Sequence, residues 1–75
     1  PVKSQLILRF AHNILRKARK SGMNFGKSPN GLAAAAVYLS CKEKNVKRTQ
    51  KEISGLADIT ELILRQRKDE LEKIL

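Results

Sequence analysis

Three side chains in the last third of the chain have the chemistry of base recognition in duplex DNA. Arg65 can donate two hydrogen bonds to the O6 and N7 atoms of guanine, and Gln66 can pair with adenine in the same bidentate way. Leu62 can cover the methyl group of thymine. On a helix that starts at Glu61, a step of 100° per residue turns Leu62, Arg65 and Gln66 to one side, together with Asp69. We therefore predict base contacts by Leu62, Arg65 and Gln66.

The opposite side of that helix is expected to face the core. It carries a stripe at helical spacing, formed by Leu64, Lys68, Leu71 and Leu75. The aliphatic stem of Lys68 is expected to lie along the apolar surface. The acids of the second half would repel phosphates: Asp69, Glu70 and Glu72. Only the first turns of the helix should therefore reach the bases, as is usual for recognition helices.

A second, shorter helix precedes this one and positions it. Thr49 and Glu52 have the spacing of a capping box, in which each side chain accepts a hydrogen bond from the backbone N–H of the other residue. Asp58 ends this helix, and Thr60 can cap the next one. Two helices at about 50–57 and 61–74 form a helix-turn-helix over 49–74. The residues expected to contact the DNA backbone lie at its start: Lys47, Arg48, Thr49, Gln50 and Lys51.

Two longer helices are predicted before this motif. An apolar stripe runs through Ile7, Ile14 and Ala18 in a helix over about 4–20, which Gly22 can close in the left-handed conformation. Ser28 can cap a helix over about 29–44 that is apolar nearly all round and contains four consecutive alanines. Such a helix is usually the centre of a bundle. The 75 residues therefore predict one small all-α domain of four helices.

The amino-acid composition restricts the classes of function that fit this chain. The net charge is +9, with +11 in residues 1–51 and −2 in residues 52–75, and so basic a chain attracts polyanions. Three aromatic residues are too few for a platform that stacks single-stranded bases. His12 stands alone, and no cluster has metal-ligand spacing, so we expect neither an enzyme nor a bound cofactor.

The sequence also gives expectations about the cellular compartment and about the start of the chain. No apolar run is long enough for a membrane span and no signal peptide is visible. Cys41 is the one cysteine, which excludes an internal disulfide and fits a reducing compartment. Because it lies in the apolar helical segment, we expect its thiol to be buried. We therefore expect an intracellular protein, in the cytoplasm if the source is archaeal and in the nucleus if it is eukaryotic. The start at Pro1 suggests an excised fragment or removal of an initiator Met.

Three blocks of the sequence carry a family resemblance. They are residues 26–39 (GKSPNGLAAAAVYL), 47–53 (KRTQKEI), and 59–62 (ITEL) with 64–67 (LRQR). Together they resemble the second cyclin-like repeat of transcription initiation factor IIB and of its archaeal counterpart, transcription factor B. The likeness extends over roughly residues 4–71. It implies a cyclin-like helical bundle that ends in the helix-turn-helix and is an incomplete version of a five-helix repeat, because residues 4–20 align with the second helix of the family.

The resemblance implies a role and partners. In that family the second repeat reads promoter DNA upstream of the TATA box, in complex with TATA-binding protein, and the full factor helps recruit RNA polymerase. The base-reading aliphatic residue of the family falls on Leu62 and its base-reading arginine on Arg65. The chain departs from the family at Ile63, where a threonine is usual, at Lys68, where an aromatic is usual, and at Asp58, where glycine is frequent. Asp58 should tolerate a left-handed conformation less well than glycine does.

Two other functions stay open. A cyclin-like module could bind proteins without reading bases, using Leu62 and Ile63 with the acidic end of the chain as a docking surface. An unrelated helix-turn-helix regulator would bind paired half-sites as a homodimer, whereas the factor IIB interpretation predicts a monomer. Alone, the chain should bind DNA weakly, because a single reading helix makes few phosphate contacts.

Overall fold

Four α-helices account for the regular structure of the described residues. The computed structural model describes residues 2–23 and 29–75. The helices are α1 (Val2–Lys20), α2 (Pro29–Glu43), α3 (Gln50–Leu56) and α4 (Glu61–Ile74). The described residues contain no strand, so the all-α prediction is confirmed, and each helix end lies within two residues of its predicted position. The Ser28 cap and the connector at 24–27 lie outside the described residues.

Helix α2 is the centre of the bundle, as its apolar sequence predicts. Helices α1 and α4 pack most extensively against it, and α3 contacts both α2 and α4. Its small side chains let these neighbours approach closely, and three of the four alanines are buried, whereas Ala33 is exposed. The buried Ser40 hydroxyl donates to the Ala36 carbonyl at 2.6 Å, which satisfies it within the helix. Cys41 is buried as expected, and burial raises the pKa of its thiol.

Helix α1 lays its apolar stripe on α2 and leaves its cations in solvent. Ala11, Ile14 and Ala18 are buried in the shared core, and Phe10 packs against its edge. The lysine and arginine residues of its last turn are exposed: Lys17, Arg19 and Lys20. Cations suit the negative end of the helix dipole. The helix thus presents an apolar inner face and a basic outer face.

The ends of α1, α2 and α3 have the same backbone geometry. The second residue after the end of each helix has a positive φ: 86° at Gly22, 58° at Asn45 and 57° at Asp58. In each case the following N–H bonds back to a carbonyl five residues earlier, as Met23 does to Ala18 at 3.1 Å. The N–H of the positive-φ residue also bonds to a carbonyl three residues earlier, as Gly22 does to Arg19 at 3.1 Å, and this pair of hydrogen bonds is the Schellman motif. It turns the chain sharply and lets four helices pack within a short sequence.

Candidate nucleic-acid interface

The capping box at the start of α3 forms as predicted. The Glu52 N–H donates to the Thr49 hydroxyl at 3.0 Å, and the Thr49 N–H donates to Glu52 Oε1 at 3.0 Å. The hydrogen bond from the Thr49 N–H, followed by that with the Thr49 side chain, lowers the pKa of Glu52. The two hydrogen bonds fix the direction in which α3 leaves the preceding basic segment.

Hydrogen bonds fix both ends of the turn between α3 and α4. Asp58 takes the left-handed conformation that its position requires, and the Ile59 N–H bonds to the Ser54 carbonyl at 3.0 Å. The Thr60 hydroxyl then accepts from the Ile63 N–H at 3.1 Å and caps α4, as predicted. Four residues, 57–60, therefore separate the two helices, and the orientation of α4 against α3 is set by backbone hydrogen bonds.

The core-facing side of α4 is largely as expected. Leu64 and Leu71 are fully buried. Lys68 leaves only 16% of its side chain exposed, and its Nζ atom lies 3.2 Å from Asp69 Oδ1 and 3.3 Å from Glu72 Oε1. The hydrogen bond with Asp69 raises the pKa of Lys68 more than any other contact does. The expectation for Leu75 was wrong: it follows the end of α4, and 53% of it is exposed.

The three predicted base-contacting side chains lie together on the solvent side of α4. Leu62 is 59% exposed, and Arg65 and Gln66 are also exposed. Arg65 has no ion-pair partner among the described residues, in contrast to Arg67, whose Nε atom lies 3.0 Å from Glu70 Oε1. The guanidinium of Arg65 is therefore available to an external acceptor. An exposed leucine on the first turn of a capped helix stands directly beside it.

The predicted phosphate-contacting residues surround the start of α3. Lys47, Arg48 and Lys51 are exposed, whereas Gln50 is half-buried. Arg48 Nη1 lies 3.8 Å from Glu52 Oε2, a loose exposed pair that weakens its attraction for phosphate without removing it. Thr49 uses its hydroxyl oxygen as an acceptor in the capping box. Lys47 and Lys51 are thus the least compensated cations of this segment.

The acids of α4 repel phosphate less than the sequence alone suggests. Asp69 and Glu72 share Lys68, and Glu70 pairs with Arg67. Each of these carboxylates therefore has a cation within its own helix. A spacing of three or four residues signals the pairs Arg67–Glu70 and Lys68–Glu72, whereas Asp69 directly follows Lys68 in the chain. The prediction of phosphate repulsion took only the sign of each charge and missed these two pairs.

One large apolar side chain near the turn was not singled out from the sequence. Leu56 closes α3 and is 88% exposed. It lies beside a shallow apolar groove between α2 and α3 that Ala33, Val37 and Ile53 also line. The helical periodicity of so short a helix gives no signal for this exposure, because Leu56 follows the buried Ile53 at core spacing.

Other kinds of site are not found in the described part of the chain. No group of three or more histidine, cysteine or carboxylate side chains in residues 2–23 and 29–75 is arranged to hold a metal ion. Among the same residues, no helix is both long and apolar enough to cross a membrane. The exposed side chains of the helix-turn-helix include cations, hydrogen-bond donors, two leucines and several carboxylates.

Comparison with known proteins identifies the family. The family model described as "Transcription factor TFIIB repeat" matches residues 2–74. Transcription initiation factor IIB of Pyrodictium occultum is 48% identical over 68 residues, which is 91% of this chain and 22% of that protein. The factor of the same name from Sulfurisphaera tokodaii is 44% identical over 68 residues, with the same coverage of both chains. Transcription initiation factor IIB 2 of Haloferax volcanii is 48% identical over 66 residues, 88% of this chain and 20% of that protein.

These matches confirm the family resemblance seen in the sequence. The chain spans about a fifth of the length of the curated relatives that it matches. The four-helix architecture agrees with the cyclin-like fold expected of such a repeat. The expectation that the chain is not an enzyme is confirmed by the non-enzymatic character of the family. The chain belongs to the family of transcription factor TFIIB repeats, which have a cyclin-like helical fold.

Proposed function

We propose that this domain binds promoter DNA as part of a general transcription initiation factor and reads base pairs with the first turns of α4. The observation that carries the proposal is the side-by-side exposure of Leu62 and Arg65, with the Arg65 guanidinium unpaired among the described residues. Arginine in the major groove favours guanine, and a leucine favours a thymine methyl. Gln66, on the same face, adds an adenine-compatible amide.

Lys47, Arg48 and Lys51 support the proposal by lying at the start of α3. Helix-turn-helix domains use the first helix and the segment around it to hold the DNA backbone while the second helix enters the groove. Thr49 and Gln50 add neutral donors to the same region. In this arrangement the basic segment sets the register of the domain on the duplex, and α4 supplies the sequence preference.

The partners proposed for the full factor follow from the family. Relatives that carry the name transcription initiation factor IIB suggest TATA-binding protein and RNA polymerase as protein partners. The element read would lie upstream of the TATA box, and the factor would work inside the cell. Residues 1–75 would form one cyclin-like domain of it, which is a monomer. This domain alone should bind duplex DNA weakly. Nanomolar affinity without a protein partner would contradict the proposal that TATA-binding protein is needed for tight binding.

The test is a binding measurement on duplex DNA in the presence of TATA-binding protein. Arg65→Ala should cost about 1–3 kcal/mol and relax the preference at one base pair. The matched control is Arg67→Ala, which removes the same charge from a side chain that is held by Glu70. The proposal fails if the two variants lose affinity equally and both keep the wild-type preference.

Phosphate contacts are tested separately by salt dependence. Lys47→Gln and Lys51→Gln should each weaken binding to all duplexes alike and lower the slope of log affinity against log salt by about one. A change of base preference in either variant would show that the basic segment has a different role from the one proposed.

A protein-docking role is the second candidate, because Leu62 and Leu56 are both exposed on the helix-turn-helix. A partner that covered both leucines would bury apolar surface at this motif without reading bases. Selection from a pool of random duplexes distinguishes the two: the DNA proposal predicts an enriched sequence, and the docking proposal predicts none.

A further inference from the structure

A pocket of about 300 Å³ lies beside the basic segment that leads into α3. Its lining comes from the last turns of α2 and from the residues that follow, and we name it the Lys42 pocket: Tyr38, Lys42, Asn45, Val46, Lys47 and Arg48. The sequence predicts DNA contact only for Lys47 and Arg48 of this set. No carboxylate of the described residues lines the pocket. It therefore combines three cations with neutral hydrogen-bond donors and without an internal anion.

The ending of α2 brings these residues together. Asn45 has a φ of 58°, and the Val46 N–H donates to the Cys41 carbonyl at 2.8 Å, so the chain turns sharply directly after α2. The Val46 side chain then packs against the core. Because Val46 is anchored there, the two basic residues that follow it lie at the surface beside Lys42, which is itself exposed.

The three cations of the Lys42 pocket have little compensation from the rest of the chain. Lys42 and Lys47 make no ion pair with a described residue, and Arg48 Nη1 lies 3.8 Å from Glu52 Oε2 in a loose exposed pair. Glu43 follows Lys42 in the chain but lines a different cleft. An anion that enters the pocket therefore meets two unpaired ammonium groups and a guanidinium with a weak partner.

The charge of Arg48 acts on α2 and not only on α3. Burial raises the pKa of the Cys41 thiol, and the positive charge of Arg48 opposes this shift. A charge shifts a pKa in this way at short range, so the guanidinium lies near the end of α2. Lys42 and Arg48 thus flank the pocket from two different segments of the chain.

We propose that the Lys42 pocket holds one phosphate of the DNA backbone between Lys42 and Arg48, while Lys47 reaches the neighbouring phosphate. This inference rests on the proposed DNA-binding function and adds Lys42 to its contacts. An ammonium and a guanidinium bind the charged oxygens of a phosphodiester through strong hydrogen bonds. Because the pocket opens beside the start of α3, its phosphate belongs to the stretch of backbone that the helix-turn-helix is proposed to hold. Such contacts set the register of a protein on the duplex.

The test replaces the phosphates of one duplex, one at a time, by uncharged methylphosphonates. The duplex carries a TATA box with its upstream flank and is bound to TATA-binding protein, and fluorescence anisotropy measures the affinity of the 75-residue chain for this complex. One replacement should weaken wild-type binding about two- to fivefold and leave Lys42→Gln unaffected, because that variant already lacks the contact. Lys47→Gln should remain sensitive at this phosphate and be insensitive at the neighbouring one.

The matched control variant is Lys73→Gln. Lys73 is exposed in the last turn of α4, as Lys42 is in the last turn of α2, and it does not line the pocket. This variant should keep the wild-type sensitivity at every phosphate. Free phosphate is the other source of the same chemistry, so duplex affinity is also measured in inorganic phosphate and in chloride at equal ionic strength. The two wild-type values should agree within twofold. Far-UV circular dichroism confirms that each variant keeps its helices.

Three results would overturn the proposal. One is an identical response of wild type and Lys42→Gln at every replaced phosphate. Another is loss of the same sensitivity in Lys73→Gln, which would indicate unspecific attraction to positive charge. The third is inhibition by inorganic phosphate of more than twofold in wild type but not in Lys42→Gln, which would assign the pocket to free phosphate.

These results are separable from a failure of the proposed function. Base readout by Arg65 and the salt dependence of Lys47→Gln are measured without reference to Lys42, so both can hold while the Lys42 contact fails. If no replaced phosphate weakens wild-type binding, the proposed backbone contacts at the start of α3 fail together with the Lys42 pocket.

Discussion

Gly22 and Gly55 should respond oppositely to substitution by alanine. A Cβ atom added at Gly22 or at Gly55 would meet no heavy atom within 4 Å, so packing contributes nothing at either site. Gly22 has a φ of 86°, and left-handed backbone costs a residue with a Cβ roughly 1–2 kcal/mol. Reduced freedom of the unfolded chain returns about 0.4–1 kcal/mol. Gly22→Ala should therefore destabilise the domain by about 1 kcal/mol.

Gly55→Ala has the opposite expected sign. Gly55 lies within α3 and has no positive φ, so alanine gains about 0.5–1 kcal/mol from helix propensity. Urea denaturation followed by far-UV circular dichroism measures both free energies, and thermal unfolding should show a shift of roughly 4–8 °C per kcal/mol. If both variants change stability in the same direction, backbone conformation does not control these sites and the description of the α1 ending is wrong.

Three other predictions concern the turn and the caps of the helix-turn-helix. Asp58→Gly should stabilise the domain by about 0.5–1 kcal/mol, because glycine has no Cβ penalty at a φ of 57°. A loss of stability in urea denaturation would show instead that the Asp58 carboxylate stabilises the turn. Thr60→Ala should cost about 1 kcal/mol by removing the cap of α4, whereas Thr60→Ser should cost much less, and equal losses would argue against the cap. Glu52→Gln should lower stability at neutral pH, because hydrogen bonds from Thr49 hold the pKa of Glu52 below its ordinary value of 4.5. The difference in the free energy of unfolding between Glu52→Gln and wild type should vanish as the pH falls through the folded-state pKa of Glu52. Urea denaturation at a series of pH values measures this difference, and a difference that stays constant across the series would refute the assignment.

The sequence predicts the fold well because local signals and the global packing agree. The Thr49 capping box, the Thr60 cap and the apolar stripe of α1 each specify a helix without tertiary information. Asp58 is the instructive case. Its side chain disfavours the left-handed conformation, yet the Schellman hydrogen bonds and the need to return α4 onto α2 impose it.

The details of the candidate interface were less predictable. A helical wheel turns Leu62, Arg65 and Gln66 outward, and all three are exposed. The wheel also places Leu75 in the core, and there it fails, because the wheel assumes a continuing helix whereas Leu75 follows α4 and is exposed. Whether Arg65 stays free depends on the rotamers of Glu61 and Asp69, each four residues away, and the sequence pattern does not show that Asp69 pairs with Lys68 instead.

The central claim, that Leu62 and Arg65 face base edges, is tested most directly by duplex selection. Wild type, Arg65→Ala and Arg67→Ala would each select from one random duplex pool in the presence of TATA-binding protein. Wild type and Arg67→Ala should enrich the same sequence, and Arg65→Ala should lose the preference at one base pair while keeping the rest. An identical enriched sequence in all three, or none in wild type, would contradict base readout by α4.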